Sequence, residues 1–279
     1  MFRLQIERIY MTFKLKSTLL LAIAALSGLT LAGCIDETAT NAPKPQENAS
    51  ERSIEDKATE KSPKKTPETR KVIIAKDLVT YTTEKSPGPT KNYYFENGHA
   101  AEIKNMEPGT FIFQADSKGR SGVAVAKLTY NQFEESKGSR QGTPLDPPYW
   151  PRNSKVAITY SFNDRTYHGY MWNRSHSIAD SLLGAASYDS VYNFTAGTRP
   201  QNVGADQKGG MRYAESMVEN YWRAHPNTNQ TVSYQTTPIY HEDERIPRGS
   251  IVDIKSSDGQ LNREIVVINS AEGLDIDYN

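Results

Sequence analysis

His176 closes the run Trp172-Asn173-Arg174-Ser175-His176, and Asn193, Asn202 and Glu215 follow it in that order along the chain. An imidazole titrates near pH ~6.5, so at physiological pH much of it is neutral and able to take a proton from water. A neutral amide oxygen such as that of Asn202 suits Mg²⁺, or Mn²⁺ in its place, because a cation that dehydrates reluctantly needs few protein ligands. Glu215 can accept hydrogen bonds from cation-bound water, and Asn193 can orient either its loop or His176. Arg174 carries the guanidinium fork that matches phosphate oxygens, and a structural ion pair is the equal alternative for it. A phosphodiester resists hydrolysis because its anionic centre repels hydroxide and its alkoxide leaves poorly. A base for water and a cation at the phosphate answer both difficulties. The order of these residues therefore suggests a metal-dependent nuclease.

The flanking patterns say what must hold these groups. Residues 156–160 alternate like a half-exposed strand and Asn163-Asp164-Arg165 is a turn. Residues 167–172 are thus expected to return antiparallel and present His176 at the end of that hairpin. Ala214, Val218, Tyr221 and Trp222 recur at helical spacing over 211–224, after the breaker pair Gly209-Gly210, which puts Glu215 on a helix. Residues 122–128 read as a buried strand and 138–148 as a Gly/Pro-rich loop running up to Trp150. Residues 231–240, 250–255 and 263–268 read as strands, with Ser257-Asp258-Gly259 turning between the last two. Upstream, Val72-Ile73-Ile74 and Leu78-Val79-Thr80-Tyr81 are β-rich and predict short strands in a loosely attached arm.

The first quarter of the chain differs in kind. Residues 11–17 carry Lys14 and Lys16, residues 18–31 are almost wholly apolar, and Leu31-Ala32-Gly33-Cys34 ends the run. This pattern predicts a secretory signal over residues 1–33, with Met11 as an alternative start. Its last residues resemble the lipobox of bacterial lipoproteins, in which Cys34 would become the lipid-modified first residue and anchor the chain to the membrane at the cell surface. A single acyl chain holds a protein only marginally, so stable anchoring needs the several chains that lipoprotein processing adds. Residues 34–70 are rich in Thr, Glu, Lys, Pro, Ser and Asn with no aromatic residue, a composition that predicts a disordered tether. The folded domain is then expected over residues 71–279. Cys34 is the only cysteine, which excludes an intramolecular disulfide and a cysteine-based zinc site. The 33 basic and 33 acidic residues cancel, so any pull on nucleic acid must come from a local patch.

From Asn92 to the C-terminus the chain resembles the DNA/RNA non-specific endonucleases, the ββα-metal nucleases that include bacterial DNA-entry nucleases. The pieces that carry the likeness are Asp116-Ser117-Lys118-Gly119-Arg120 before the strand at Gly122, the Trp150 region, Asn173-Arg174-Ser175-His176, and Tyr213-Ala214-Glu215-Ser216-Met217-Val218. Lys255-Ser256-Ser257-Asp258-Gly259 and the tail Gly273-Leu274-Asp275-Ile276-Asp277-Tyr278 add to it. The resemblance implies an α+β fold with a central, mostly antiparallel sheet, flanking helices and an active site on a hairpin plus a helix. It assigns the general base to His176, the metal ligand to Asn202 and water positioning to Glu215. The family signature is Asp-Arg-Gly-His, and this chain has Asn173 for the aspartate and Ser175 for the glycine. An amide thus stands where a carboxylate would raise imidazole basicity. Relatives carry a basic residue one turn after the glutamate, where Glu219 stands here, so stabilisation of the leaving group falls to Arg174, Arg212 or another residue. The implied substrate is DNA, with RNA as a second candidate. The competing reading is a non-catalytic surface lipoprotein that binds extracellular DNA or an envelope partner. His99, His168, His225 and His241 lack partners at metal spacing, and the aromatics Tyr149, Trp150, Tyr167, Tyr170, Trp172, Tyr221 and Trp222 fit core or rim positions.

Overall fold

The structure, a computed structural model, describes residues 66–138 and 140–279. In chain order its elements are helix α1 (Pro67–Thr83), strands β1 (Tyr94–Glu96), β2 (Phe111–Ala115) and β3 (Ser121–Thr129), and helix α2 (Tyr130–Glu135). Strands β4 (Lys155–Thr159), β5 (Thr166–Tyr170) and β6 (Trp172–His176) follow, then helix α3 (Asp180–Leu183), strand β7 (Phe194–Thr198), and helices α4 (Arg199–Val203) and α5 (Met211–Ala224). Strands β8 (Thr231–Ile239), β9 (Gly249–Ser256) and β10 (Asn262–Ile268) complete the chain. The signal segment, Cys34 and the tether up to residue 65 lie outside the described residues. Among the described residues no helix is long and apolar enough to cross a membrane.

The unbroken apolar run Ile265-Val266-Val267-Ile268 explains the layering. Alternate residues of a strand point to opposite faces, so such a run needs cover on both. Ile265 and Val267 join Val252, Ile254, Val232, Tyr234 and Ala124 in a core closed by Phe133 of α2, Leu182 of α3, and Met211, Ala214, Val218 and Trp222 of α5. Val266 and Ile268 face the other way and pack with Ile251 and Ile239 against Ile74 and Leu78 of α1. The sheet between these layers has the order β1-β10-β9-β8-β3-β2 and is antiparallel throughout. It is the central antiparallel sheet with flanking helices that the sequence implied, and the C-terminal strands lie where their alternation placed them. Strand β2, which the sequence reading passed over, forms one edge.

Two expectations are corrected. The segment read as short strands in a loose arm is α1. Ile74, Leu78 and Thr82 are buried at four-residue spacing, Pro67 occupies the first turn, and the Thr66 hydroxyl accepts the Thr69 N–H at 3.3 Å. Helical register outweighs the β-branched composition because those three positions fall on one face, and the helix starts inside the stretch expected to be tether. The second correction concerns His176. Strand β5 pairs with β4 but ends at Tyr170, and β6 pairs instead with β7, placing His176 opposite Phe194. The switch occurs where Asn153 exchanges two hydrogen bonds with Trp172: its Nδ2 donates to the carbonyl at 2.8 Å and its Oδ1 accepts the N–H at 3.0 Å.

A buried carboxylate pair ties α1 to the sheet. Asp253 and Glu264 lie opposite each other on β9 and β10, both buried. Arg70 of α1 places Nη2 2.8 Å from Glu264 Oε1, Asn97 Nδ2 donates to the same oxygen at 2.6 Å, and the Ala101 N–H donates to Asp253 Oδ1 at 2.7 Å. Burial, reinforced by the Asp253 charge, pushes the Glu264 carboxyl up to about 7 from its ordinary 4.5. The folded protein therefore keeps a proton that the unfolded chain releases. The stability this contributes is complete below the unfolded value of 4.5 and is lost as pH rises through about 7. Urea denaturation should show the unfolding free energy declining across that window in the native protein and a flatter dependence in Glu264→Gln. Identical slopes would remove Glu264 as the cause.

Candidate active site

His176 sits on the last residue of β6, in a two-stranded ribbon with β7 that makes no ladder to the main sheet. The ribbon is attached by side chains. Ser121 Oγ donates to the Phe194 carbonyl at 2.6 Å, Asn269 Nδ2 to the Ala196 carbonyl at 3.0 Å, and the Thr198 N–H to Asn269 Oδ1 at 2.8 Å. Thr236 Oγ1 adds a bond to the Ser177 carbonyl at 2.6 Å, just past His176. Thr198 then caps α4 by accepting the Gln201 N–H at 3.1 Å. Gly197 is required beneath that helix, because a Cβ there would lie 2.8 Å from the Ser175 Cβ and closer still to Gln201 Oε1. Helix α4 thus packs on β6 and β7 and against α5. The resulting strand–strand–helix unit carries His176 and Asn202.

The imidazole is held by rings. Its centroid is 5.3 Å from that of Tyr188 at an interplanar angle of 86°, and 4.5 Å from that of Phe194 at 49°. Nε2 is buried without a hydrogen-bond partner. Burial, together with the smaller effect of the Arg140 charge, lowers the His176 pKa from its ordinary 6.5 to about 4. The side chain is therefore a neutral proton acceptor beside a guanidinium. Arg140, which sequence reasoning did not single out, arrives on the Gly/Pro-rich loop before β4. Gln141 anchors that loop: its Oε1 accepts the Ala185 N–H at 2.9 Å and its Nε2 donates to the Glu135 carbonyl at 2.5 Å.

Glu215, on α5, receives Arg212 Nη1 on Oε2 at 3.1 Å. Arg212 also holds Glu219 through both of its terminal nitrogens, and Arg223 Nη2 reaches Glu219 Oε2 at 2.8 Å. Burial raises the Glu215 pKa, Arg212 opposes this, and the Glu219 and Asp180 charges add to it. Asp180, on α3, also helps to raise Tyr188, whose hydroxyl burial pushes up to about 12. His176 thus contacts Tyr188, whose hydroxyl lies beside Asp180, and the Asp180 charge is felt by Glu215, which Arg212 holds on α5. Asp180 and Tyr188 carried no signal in the sequence, since neither lies at a motif spacing.

Other expected residues take different places. Arg174 is exposed, pairs with Asp146 at 2.5 Å and lies 4.7 Å over the Trp150 ring. Asn173 alternates with it on β6 and is half-buried. Asn193 is fully buried and clamps the loop after His176: Nδ2 donates to the carbonyls of Ile178 at 3.0 Å and Ser187 at 2.8 Å, and Oδ1 accepts the Ile178 N–H at 2.9 Å. Asp116 and Arg120 serve the scaffold, paired at 2.7 Å with the guanidinium 3.8 Å from the Tyr240 ring centroid.

The donor set fits a cation held largely by water. Among the described residues no three His, Cys, Asp or Glu side chains cluster as a metal cage. Asn202, on α4, is half-buried. Asp180 Oδ1, Tyr188 OH, Ser175 Oγ and His176 Nε2 are buried and unpartnered. Buried polar atoms left in this way call for water, an ion or substrate.

The sequence pattern of the DNA/RNA non-specific endonucleases matches residues 86–277. A deoxyribonuclease of Streptococcus dysgalactiae subsp. equisimilis is 33% identical over 191 residues, which span 58% of this chain and 57% of that protein's own length. The structure of Sda1 nuclease with bound zinc ion is similar over 69% of this chain and 96% of that one, at 29% identity and a TM-score of 0.58. NucA from Streptococcus agalactiae with magnesium ion bound shares the fold at a TM-score of 0.54 and 21% identity, over 73% of this chain and 93% of that one.

Replacing Asn193 by Ala strands the buried backbone groups of Ile178 and Ser187 that its amide satisfies. Each such group costs roughly 1–3 kcal/mol, so Asn193→Ala should lose at least about 3 kcal/mol in chemical denaturation. A loss below about 1 kcal/mol would show that the clamp is dispensable.

Proposed function

The chain belongs to the DNA/RNA non-specific endonuclease family, and from that premise we propose that it hydrolyses phosphodiester bonds of DNA, and of RNA as a second substrate, outside the cell with little sequence preference. The observation that carries this reading is the neutral His176 imidazole, desolvated and unpaired at Nε2 beside Arg140. With Nε2 enclosed, Nδ1 is the nitrogen left to take the proton of an attacking water. The water oxygen bonds to phosphorus as the bond to the leaving oxygen breaks. Arg140 supplies a guanidinium to the phosphate beside the base, a part that the pairing of Arg174 with Asp146 leaves open. Asn202 would hold a divalent cation, Mg²⁺ or Mn²⁺, with Glu215 accepting from its waters. Bound there, the cation would polarise the phosphoryl group and stabilise its developing charge. Contacts of this kind address the backbone and carry no base information, so low specificity is the physical default. Attachment to the bacterial cell surface through Cys34 completes the proposal and rests on the sequence at that residue.

Supercoiled plasmid incubated with the protein and Mg²⁺ should be nicked, EDTA should stop the reaction, and His176→Ala should lower the rate at least 100-fold while the fold and DNA binding persist. Asn202→Ala should raise the Mg²⁺ concentration needed for half-maximal rate. Because burial and Arg140 hold the imidazole well below its usual value, activity should fall with acid only as the ring protonates, placing the acid limb of kcat/KM clearly below pH 6.5. A folded protein that binds DNA but cuts nothing with any divalent cation would favour the non-catalytic binding role.

A further inference from the structure

His176 Nε2 is buried without a hydrogen-bond partner among the described residues, and Asn173, three residues earlier on β6, lies on the opposite face of the strand. Something else must fix the ring. Phe194 and Tyr188 contact it from two sides, at centroid distances of 4.5 and 5.3 Å. Tyr188 is in turn pressed by the loop that carries Arg140: a Cβ on Gly142 would lie 2.5 Å from both Cγ and Cδ2 of the tyrosine ring. The backbone of the loop therefore rests on the ring with no room for a side chain. The tyrosine hydroxyl is buried beside Asp180 and Ser187, and it is the ring that contacts the imidazole and the Gly142 backbone.

We infer that Tyr188 is a positioning residue for His176, doing by packing what a hydrogen-bonded carboxylate would do, and that it locks the Arg140 loop in place through the same ring. This rests on His176 being the general base. Wedged between Gly142 and the imidazole, the ring transmits any movement of the loop to the base, and its bulk maintains the desolvation that keeps the imidazole neutral. The charged groups facing this assembly are Arg140 from the loop and Asp180 from α3. Phe194, from β7, contributes no charge.

The test combines an NMR titration of the His176 ring with steady-state kinetics on DNA. In Tyr188→Phe, which keeps the ring, the midpoint should stay at the wild-type value and kcat within about threefold. In Tyr188→Ala the midpoint should climb towards pH ~6.5, and kcat should fall at least about tenfold with KM for DNA little changed. Gly142→Ala, on the loop rather than in the core, should lower kcat severalfold in a protein that melts like the wild type. It decides the matter if Tyr188→Ala does not fold. An unchanged midpoint and kcat in a folded Tyr188→Ala, or in Gly142→Ala, would overturn the inference, as would Tyr188→Phe losing as much as Tyr188→Ala. The titration does not depend on turnover. Nicking that survives His176→Ala would therefore reject the base itself, while the midpoint shift would still report on the packing.

Discussion

A two-stranded ribbon buried beside a sheet has outer edges whose N–H and C=O groups must find partners, since unpaired backbone groups away from water are costly. In this chain the partners are side chains. The Phe194 and Ala196 carbonyls and the Thr198 N–H, alternate residues along the outer edge of β7, are taken by Ser121 and Asn269. Asn153 takes the start of β6. These bonds fix the ribbon against the sheet without making it a strand of that sheet, and His176 keeps one fixed position at the seam between β6, the loop that follows and α5.

The same economy governs the site. A neutral imidazole in a desolvated pocket is not held by charge, and the residues around it are rings, hydroxyls and a clamped backbone. Asn193 satisfies the loop after His176 from inside, leaving Asp180 and Tyr188 facing the base and Glu215. The charges near the site are Arg140 beside the imidazole, Asp180 on α3 and the Arg212–Glu215–Glu219 network on α5. An overall neutral chain can meet an anionic substrate in this way, because the field that matters is local to a low-dielectric pocket.

Several motifs shared with the family turn out to hold the scaffold. Asp116 and Arg120 pair across the turn between β2 and β3, and the Arg120 guanidinium lies over Tyr240. Asp258 receives the Tyr221 hydroxyl at 2.9 Å, tying the turn after β9 to α5. Tyr278 donates to the Asn269 carbonyl at 2.6 Å and so supports the residue that anchors β7. Their spacing in the sequence looked like a signature of function, and their contacts are those of the frame around it.

The sequence by itself determined strands β3, β8, β9 and β10 of the main sheet and helix α5. The period-two run of β8, the apolar run of β10 and the helical spacing of Ala214, Val218 and Trp222 are local patterns with one satisfactory burial. It also singled out His176, Asn202 and Glu215, because their chemistry is written in residue type. Tertiary structure decided that α1 is a helix: composition favours a strand there, Thr66 and Pro67 give only a short local start signal, and burial of Ile74 and Leu78 against the sheet selects the helix. It decided that β6 leaves β5 for β7, because the competing pairings are equally plausible until Asn153 and Asn269 are in place. And it brought Tyr188, Asp180 and Arg140 near His176, from segments with no local pattern linking them to it, since a contact between distant residues leaves no periodicity in either one.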